Sequence, residues 1–188
     1  GTVISNPPYV VTTQKDIPLN INPQDVLVTF DSGNQTNIDS IQRTNNGLAI
    51  ISMKMPDGQK GNSIRPSEVF DNEEVFAVSN KSDYKYQSAL YRGSRIDGLG
   101  NETYIFRGEK NLEPEFVGGA IIDLCGRFIG LVEKWDSNNQ KEFYVKKIDK
   151  QSFETQINTI SPSNNQKIEN VSNPTATATP NPRPAATP

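Results

Sequence analysis

Short runs of alternating apolar and polar residues, each closed by turn-forming residues, fill the chain as far as Ile160. Alternation puts successive side chains on opposite faces of an extended backbone, so it predicts strands. Thr2-Val3-Ile4-Ser5 and Tyr9-Val10-Val11-Thr12 are two such runs, separated by the breaker Asn6-Pro7-Pro8. Between Asp25 and Phe30, Val26, Val28 and Phe30 share one face, and Leu27 and Thr29 the other. Asp31-Ser32-Gly33-Asn34 then supplies a hairpin turn, since Gly and Asn tolerate positive φ. Leu48 to Met55 sets Ala49, Ile51, Met53 and Met55 against Leu48, Ile50, Ser52 and Lys54, which predicts a half-buried strand. Further strands are predicted at Glu74–Val78, Ser88–Arg92, Thr103–Arg107, Ala120–Leu124, Phe128–Trp135 and Glu142–Val145.

The period changes once. Phe153, Ile157 and Ile160 fall at i, i+4 and i+7, one face of a helix. Asp149 is its candidate N-cap, Ile148 is placed to staple onto Phe153, and Ser161-Pro162 ends it. Pro174 to Pro188 carries no large apolar side chain, so its composition predicts an extended, polyproline-like linker or a segment held by another chain. The class is all-β, with one C-terminal α-helix and a Pro/Thr/Ala-rich extended tail.

Composition narrows the function. A net charge of −3 with scattered Lys and Arg argues against nucleic acid, whose phosphates need clustered cations. No apolar run reaches the roughly 20 residues that span a bilayer. The lone Cys125 forms no internal disulfide, and the chain has no histidine. Only oxygen ligands then remain for a metal, and Asp31–Asn34 is too short for a calcium loop, so no cofactor or metal is expected. Asn34, Asn80, Asn101 and Asn170 head Asn-x-Ser/Thr triplets, which arise readily in a chain this rich in Asn, Ser and Thr. Tyr84, Tyr86 and Tyr91 read equally as a contact surface or as core.

Glu115-Phe116-Val117-Gly118-Gly119-Ala120-Ile121, a turn, and Gly126-Arg127-Phe128-Ile129-Gly130-Leu131 resemble the nucleophile hairpin of trypsin-like serine proteases. That hairpin reads Gly-(Asn/Asp)-Ser-Gly-Gly-Pro-(Leu/Val), a turn, then Gly-Arg-(Val/Leu)-(Val/Ile)-Gly-(Ile/Leu). Gly1 to Ile17 is similar to the HtrA/DegP-type segment ending Tyr-(Ile/Val)-(Leu/Val)-Thr-Asn-x-His-Val-Val, and Asp25 to Gly33 resembles the next hairpin. Leu48 to Lys54 looks like the family's Asp-Leu-Ala-(Leu/Val)-Leu-Lys strand, and Tyr144 to Ile148 like its closing strand. The resemblance implies a chymotrypsin-fold double β-barrel: a first barrel over 1–60, a second over 61–147, a helix over 148–160 and a tail over 161–188. The family's opening strand has no counterpart here, so the first barrel is expected one strand short. A leader, anchor or first strand is expected upstream of Gly1.

The same resemblance places Lys15 at the histidine position, Gly47 at the aspartate position and Val117 at the serine position. A triad needs a nucleophile, a base and an orienting carboxylate, and none of these three residues supplies its part. Glu115 stands where the oxyanion loop has glycine, and Phe116 where it has Asn or Asp. Cys125 lacks an activating base, and a Ser–Lys dyad on Lys15 would need Ser5 or Ser79 beside it. The expectation is a catalytically degenerate domain, not an enzyme. Its expected role is a protein-binding or scaffolding subunit of a cell-surface or periplasmic assembly, on the exported side of a membrane. The alternative is a regulatory domain that binds extended peptides in the old substrate cleft, along Glu115, Phe116, Val117 and Lys15, without cutting them. An open groove would favour the peptide reader; a groove plugged by Phe116 and Glu115 would favour the subunit.

Overall fold

The computed structural model describes residues 1–5, 8–79, 85–96, 98, 100–148, 150 and 153–155. Strands β1 (Thr2–Ser5), β2 (Pro8–Thr13), β3 (Leu27–Thr29), β4 (Gln35–Arg43) and β5 (Leu48–Met53) make one antiparallel sheet in the order β1-β2-β5-β4-β3. Strands β6 (Glu74–Val78), β7 (Tyr86–Ile96), β8 (Glu102–Gly108), β9 (Ala120–Asp123), β10 (Phe128–Trp135) and β11 (Glu142–Lys147) close into a six-stranded barrel. The first unit is therefore an open sheet whose edges are β1 and β3, in keeping with a first barrel one strand short.

Alternating inward residues of the closed barrel fill its centre with rings. Phe106 stacks on Phe143 with centroids 5.8 Å apart, and Tyr91 meets Tyr104 and Phe106 edge-on at 5.0 and 5.4 Å. Tyr91 is thus core, whereas Tyr86 is exposed. Tyr84 lies outside the described residues.

The half-buried strand expected over Leu48 to Met55 needs correction, because the strand ends at Met53 and is buried on both faces. It is the middle strand of its sheet. Ile51 and Met53 join Val10, Phe30 and Ile38 on one side, while Leu48 and Ile50 pack with Phe128 and Leu131 of the second barrel on the other. Strand β4 has no counterpart in the sequence reading. Its register shifts between Ile38 and Ser40, and this bulge brings Ile38 and Ile41, three residues apart, onto one apolar cluster.

A connector runs from the sheet to the barrel and is bonded to both. Asn62 N–H donates to Val3 O at 2.8 Å, Phe128 N–H to Ser63 O at 2.7 Å, and Arg65 N–H to Phe128 O at 2.9 Å. Arg65 is the connector's buried charge, 7% exposed. Its guanidinium forks onto the Glu73 carboxylate, donates to Ser67 O and Glu68 O at 3.0 and 2.8 Å, and lies 3.7 Å from Asp123. Asp123 in turn accepts from the backbone of Cys125 and Arg127, which fixes the β9–β10 turn. The hydrogen bond from Arg65 holds the Glu73 carboxyl below the usual glutamate range.

At the start of β9 the chain comes against β6 so closely that a β-carbon on Gly119 would collide with the Val78 carbonyl oxygen. Helical geometry is described at Lys150 and at residues 153–155, where Phe153 is buried edge-on to Tyr9 at 5.8 Å and shares a cluster with Ile148. The Asp149 cap, Ile157, Ile160 and the tail over 161–188 lie outside the described residues. No helix among the described residues is long and apolar enough to cross a membrane.

Gly119→Ala should lower stability by about 1–3 kcal/mol, the range for forcing an atom into a packed site, measured by urea denaturation. Full stability would show that β6 yields freely. Because the folded pKa of Glu73 is depressed, its contribution is present above its unfolded pKa of about 4.3 and is lost as pH falls through the folded value. Glu73→Gln should therefore cost about 3 kcal/mol at pH 7, where it leaves the buried Arg65 without its anion. The gap from wild type should narrow progressively below about pH 4. A gap that is constant with pH would exclude the ion pair as its cause.

Candidate functional site

The three positions singled out by the resemblance lie in two places. Lys15 sits in a 3-10 turn, Gln14–Asp16, directly after β2. Gln14 N–H donates to Gly47 O at 2.9 Å, which ties this turn to the β4–β5 connection. Lys15 and Gly47 line one pocket of about 540 Å³ with Ile17, Leu19, Glu133 and Lys146. Val117 does not line it.

Gly47 has φ +79°, a left-handed conformation that its turn requires and that costs other residues strain. The space its side chain would enter is taken by a cation. A β-carbon on Gly47 would lie 2.9 Å from Lys146 Nζ, which donates to Asn46 O and sits 3.6 Å from Glu133 Oε1. An ammonium therefore stands beside the aligned carboxylate position. Lys15 is exposed, and Thr13 Oγ1 donates to the neighbouring Asp16.

Val117 follows the 3-10 turn Pro114–Phe116, with proline at the first position, where its missing N–H is harmless. Four amides in this stretch already have a carbonyl. Phe116 N–H donates to Glu113 O at 3.0 Å, Val117 N–H to Pro114 O at 3.2 Å, Gly118 N–H to Val132 O at 2.8 Å and Gly119 N–H to Phe116 O at 2.9 Å. An oxyanion hole needs free N–H groups converging on one point, and these four amides are committed elsewhere.

Phe116, expected as a cleft residue, is 3% exposed and packs in the core of the second barrel, with Val117 partly buried against it. It does not plug a groove. Glu115 pairs with Lys85 at 2.6 Å, and Lys85 also reaches Glu113 at 3.4 Å. These two carboxylates raise the Lys85 ammonium above the usual lysine range, Glu115 being the larger influence. The same lysine's backbone closes the β6–β7 loop: Ser79 N–H donates to Lys85 O at 2.9 Å and Lys85 N–H to Ser79 Oγ at 3.0 Å.

A second cleft, of about 470 Å³, runs between the two edges of the open sheet, with Gly118, Gly119, Ser79 and Tyr86 on its barrel side. Ser79, a candidate partner for Lys15, lines this cleft and not the pocket that holds Lys15. The side chain of Ser5 lies outside the described residues. Cys125 is exposed at the β9–β10 turn. Asn34 is exposed in its hairpin turn and Asn101 is partly buried, while Asn80 and Asn170 lie outside the described residues. No group of His, Cys, Asp and Glu among the described residues is placed to hold a metal ion. The sequence reading missed Lys146, Glu133 and Lys85, which reach the site from strands and loops distant in sequence and follow no motif.

No protein-family model matches the chain, and no curated protein matches it by sequence. Solved structures match it by shape. The active form of the Rv3671c protease from M. tuberculosis is 16% identical with a TM-score of 0.59, over 78% of this chain and 66% of that one. The HtrA-type protease AlgW with decapeptide is 15% identical with a TM-score of 0.64, over 84% and 50%. The serine endoprotease from Yersinia pestis is 12% identical with a TM-score of 0.58, over 84% and 55%. The chain thus spans between half and two thirds of the length of these structures. The fold is a trypsin-like double β-barrel with its first barrel open.

Gly47→Ala should destabilise by about 1–2 kcal/mol through its left-handed backbone, whereas Gly47→Asn should cost less, since Asn tolerates that region. Equal losses in urea denaturation would instead assign the cost to the contact with Lys146.

Proposed function

We propose that this chain is a non-catalytic trypsin-like domain, a protein-binding or scaffolding subunit of an exported assembly at a cell surface or in a periplasm. The observation that carries this is the bonding around Val117. The residue has no nucleophilic atom, and its own amide and its neighbours' amides are spent on backbone carbonyls. At the other two aligned positions Lys15 is a cation and Gly47 has no side chain, and the carboxylate in that pocket, Glu133, lies 3.6 Å from Lys146. Restoring side chains alone would therefore leave the Val117 amide bonded to Pro114 O and not available to a developing oxyanion. The exported location is supported by the likeness to HtrA-type proteases and by the Thr/Pro/Ala tail.

One observation favours a second reading. The pocket beside Lys15 is lined by neither Glu115 nor Phe116, so that loop does not bar an extended peptide from it, and Leu19 is 78% exposed at its rim. In that reading the domain is a regulator that holds peptides without cutting them.

Purified protein should neither hydrolyse casein nor react with a fluorophosphonate probe, and the triple variant K15H/G47D/V117S should also fail to react. Peptide hydrolysis that a single named substitution abolishes would overturn the proposal. Lys15→Glu separates the two readings. Loss of captured peptide would favour the regulator, and unchanged recovery of a stable partner the subunit.

A further inference from the structure

The pocket that holds Lys15 presents two ammonium groups with unspent hydrogen-bond donors. Lys15 is exposed and makes no ion pair among the described residues, and its neighbour Asp16 already accepts from Thr13 Oγ1. Lys146 arrives from β11, and glycine at 47 leaves it room, since a β-carbon there would lie 2.9 Å from Nζ. Of the ammonium's donors, one goes to Asn46 O. Glu133 stands 3.6 Å away, beyond hydrogen-bond length, so it offsets charge without taking a donor. The Lys146 side chain is only 21% exposed, and a carboxylate is attracted more strongly to a partly desolvated cation than to one in bulk water. Lys15 and Lys146 outweigh Glu133 in this pocket, against the sign of a chain whose net charge is −3.

The other wall is apolar, with Ile17 and Leu19 facing the same space. A single exposed leucine is ordinary on a protein surface. Leu19 differs in being held. Arg43 donates to Pro18 O at 2.5 Å and to Ile17 O at 3.4 Å, and Ile21 N–H closes a turn onto Pro18 O at 3.4 Å. The rim is therefore fixed before anything binds, which lowers the ordering cost of binding. The volume, about 540 Å³, lies in the range of ligand-binding clefts.

We propose that this pocket selects an acidic, extended segment of a partner polypeptide. A Glu or Asp side chain of that segment places its carboxylate between Lys15 and Lys146, and an apolar side chain two residues away rests on Leu19. Residues two apart in an extended chain share a face. The proposal rests on the peptide-holding reading and names the class of peptide held. A basic side chain at the same point would meet two like charges, which supplies the selectivity. The tail of this chain is a poorer occupant. Its one acid over 161–188 is Glu169, and Lys167, two residues earlier, would share the face of an extended segment with it.

The probe is a fluorescein-labelled peptide, Gly-Thr-Glu-Thr-Leu-Thr-Gly, amidated so that its one peptide carboxylate is the glutamate. The control, identical in label and length, has glutamine there. Anisotropy with the full chain should show saturable binding, weaker by about three- to tenfold for the control. Lys15→Gln should weaken the acidic peptide by about two- to fivefold and leave the glutamine peptide unchanged, a pattern that general unfolding would not give. Hydrogen exchange should slow over Thr13–Leu19. Equal binding of the two peptides overturns the acidic selectivity and leaves the peptide-holding reading standing, whereas binding of neither overturns both. Equal losses for both peptides in Lys15→Gln, or protection only outside Thr13–Leu19, also overturn the proposal. Tighter probe binding by Glu169→Gln would give the pocket to the chain's own tail and overturn the partner.

Discussion

Arg65 is the charge around which the two halves of this protein are arranged. A guanidinium that loses its water needs compensation on every side, because an unpaired buried charge costs several kcal/mol. Glu73 neutralises it, the carbonyls of Ser67 and Glu68 take further donors, and Asp123 lends a second, more distant anion. Those partners come from the connector and from the β9–β10 hairpin, so satisfying one side chain fixes the path of the chain between sheet and barrel. Glu68 is held from the other direction by the Tyr104 hydroxyl and by Lys147 at 2.6 Å. The interface between the halves can then be apolar, with Ile4, Tyr9, Leu48 and Ile50 meeting Phe128 and Leu131.

Where period two held, the fold could be read along the chain. Strand β10 was predicted with both its ends, and Val26, Val28 and Phe30 do turn inward while Leu27 does not. Strand β4 was illegible because its bulge changes the inward set from one parity to the other, leaving nine mostly polar residues without a face. Strand β7 was predicted short for a similar reason. Its second half, beyond the shift between Tyr91 and Gly93, is largely exposed and so carries little apolar signal. Central burial of β5 depends on what packs against its far side, a fact about the other half of the molecule.

The positions aligned by the resemblance fall in two places, Lys15 and Gly47 in one pocket and Val117 outside it, and their surroundings were not legible. Lys15, Gly47 and Val117 could be named from local pattern, because each sits inside a run whose spacing is kept. That Lys146 would fill the space beside Gly47 could not, since β11 meets the β4–β5 turn only after both halves have folded. The commitment of the Val117 amide to Pro114 is likewise a matter of how four residues turn. Proline favours such a turn without dictating its hydrogen bonds.

Gly119 bears on how a chain of this shape changes over generations. Selection for activity acts on side chains that meet a substrate, and once relaxed it lets them drift. Selection for a folded barrel acts on backbone clearance, and at this position any β-carbon would strike the Val78 carbonyl whether or not the protein cuts anything. The two pressures overlap in one short motif and separate within it, residue by residue. A glycine at this position is thus held by the barrel's own geometry, whatever the surface beside it does.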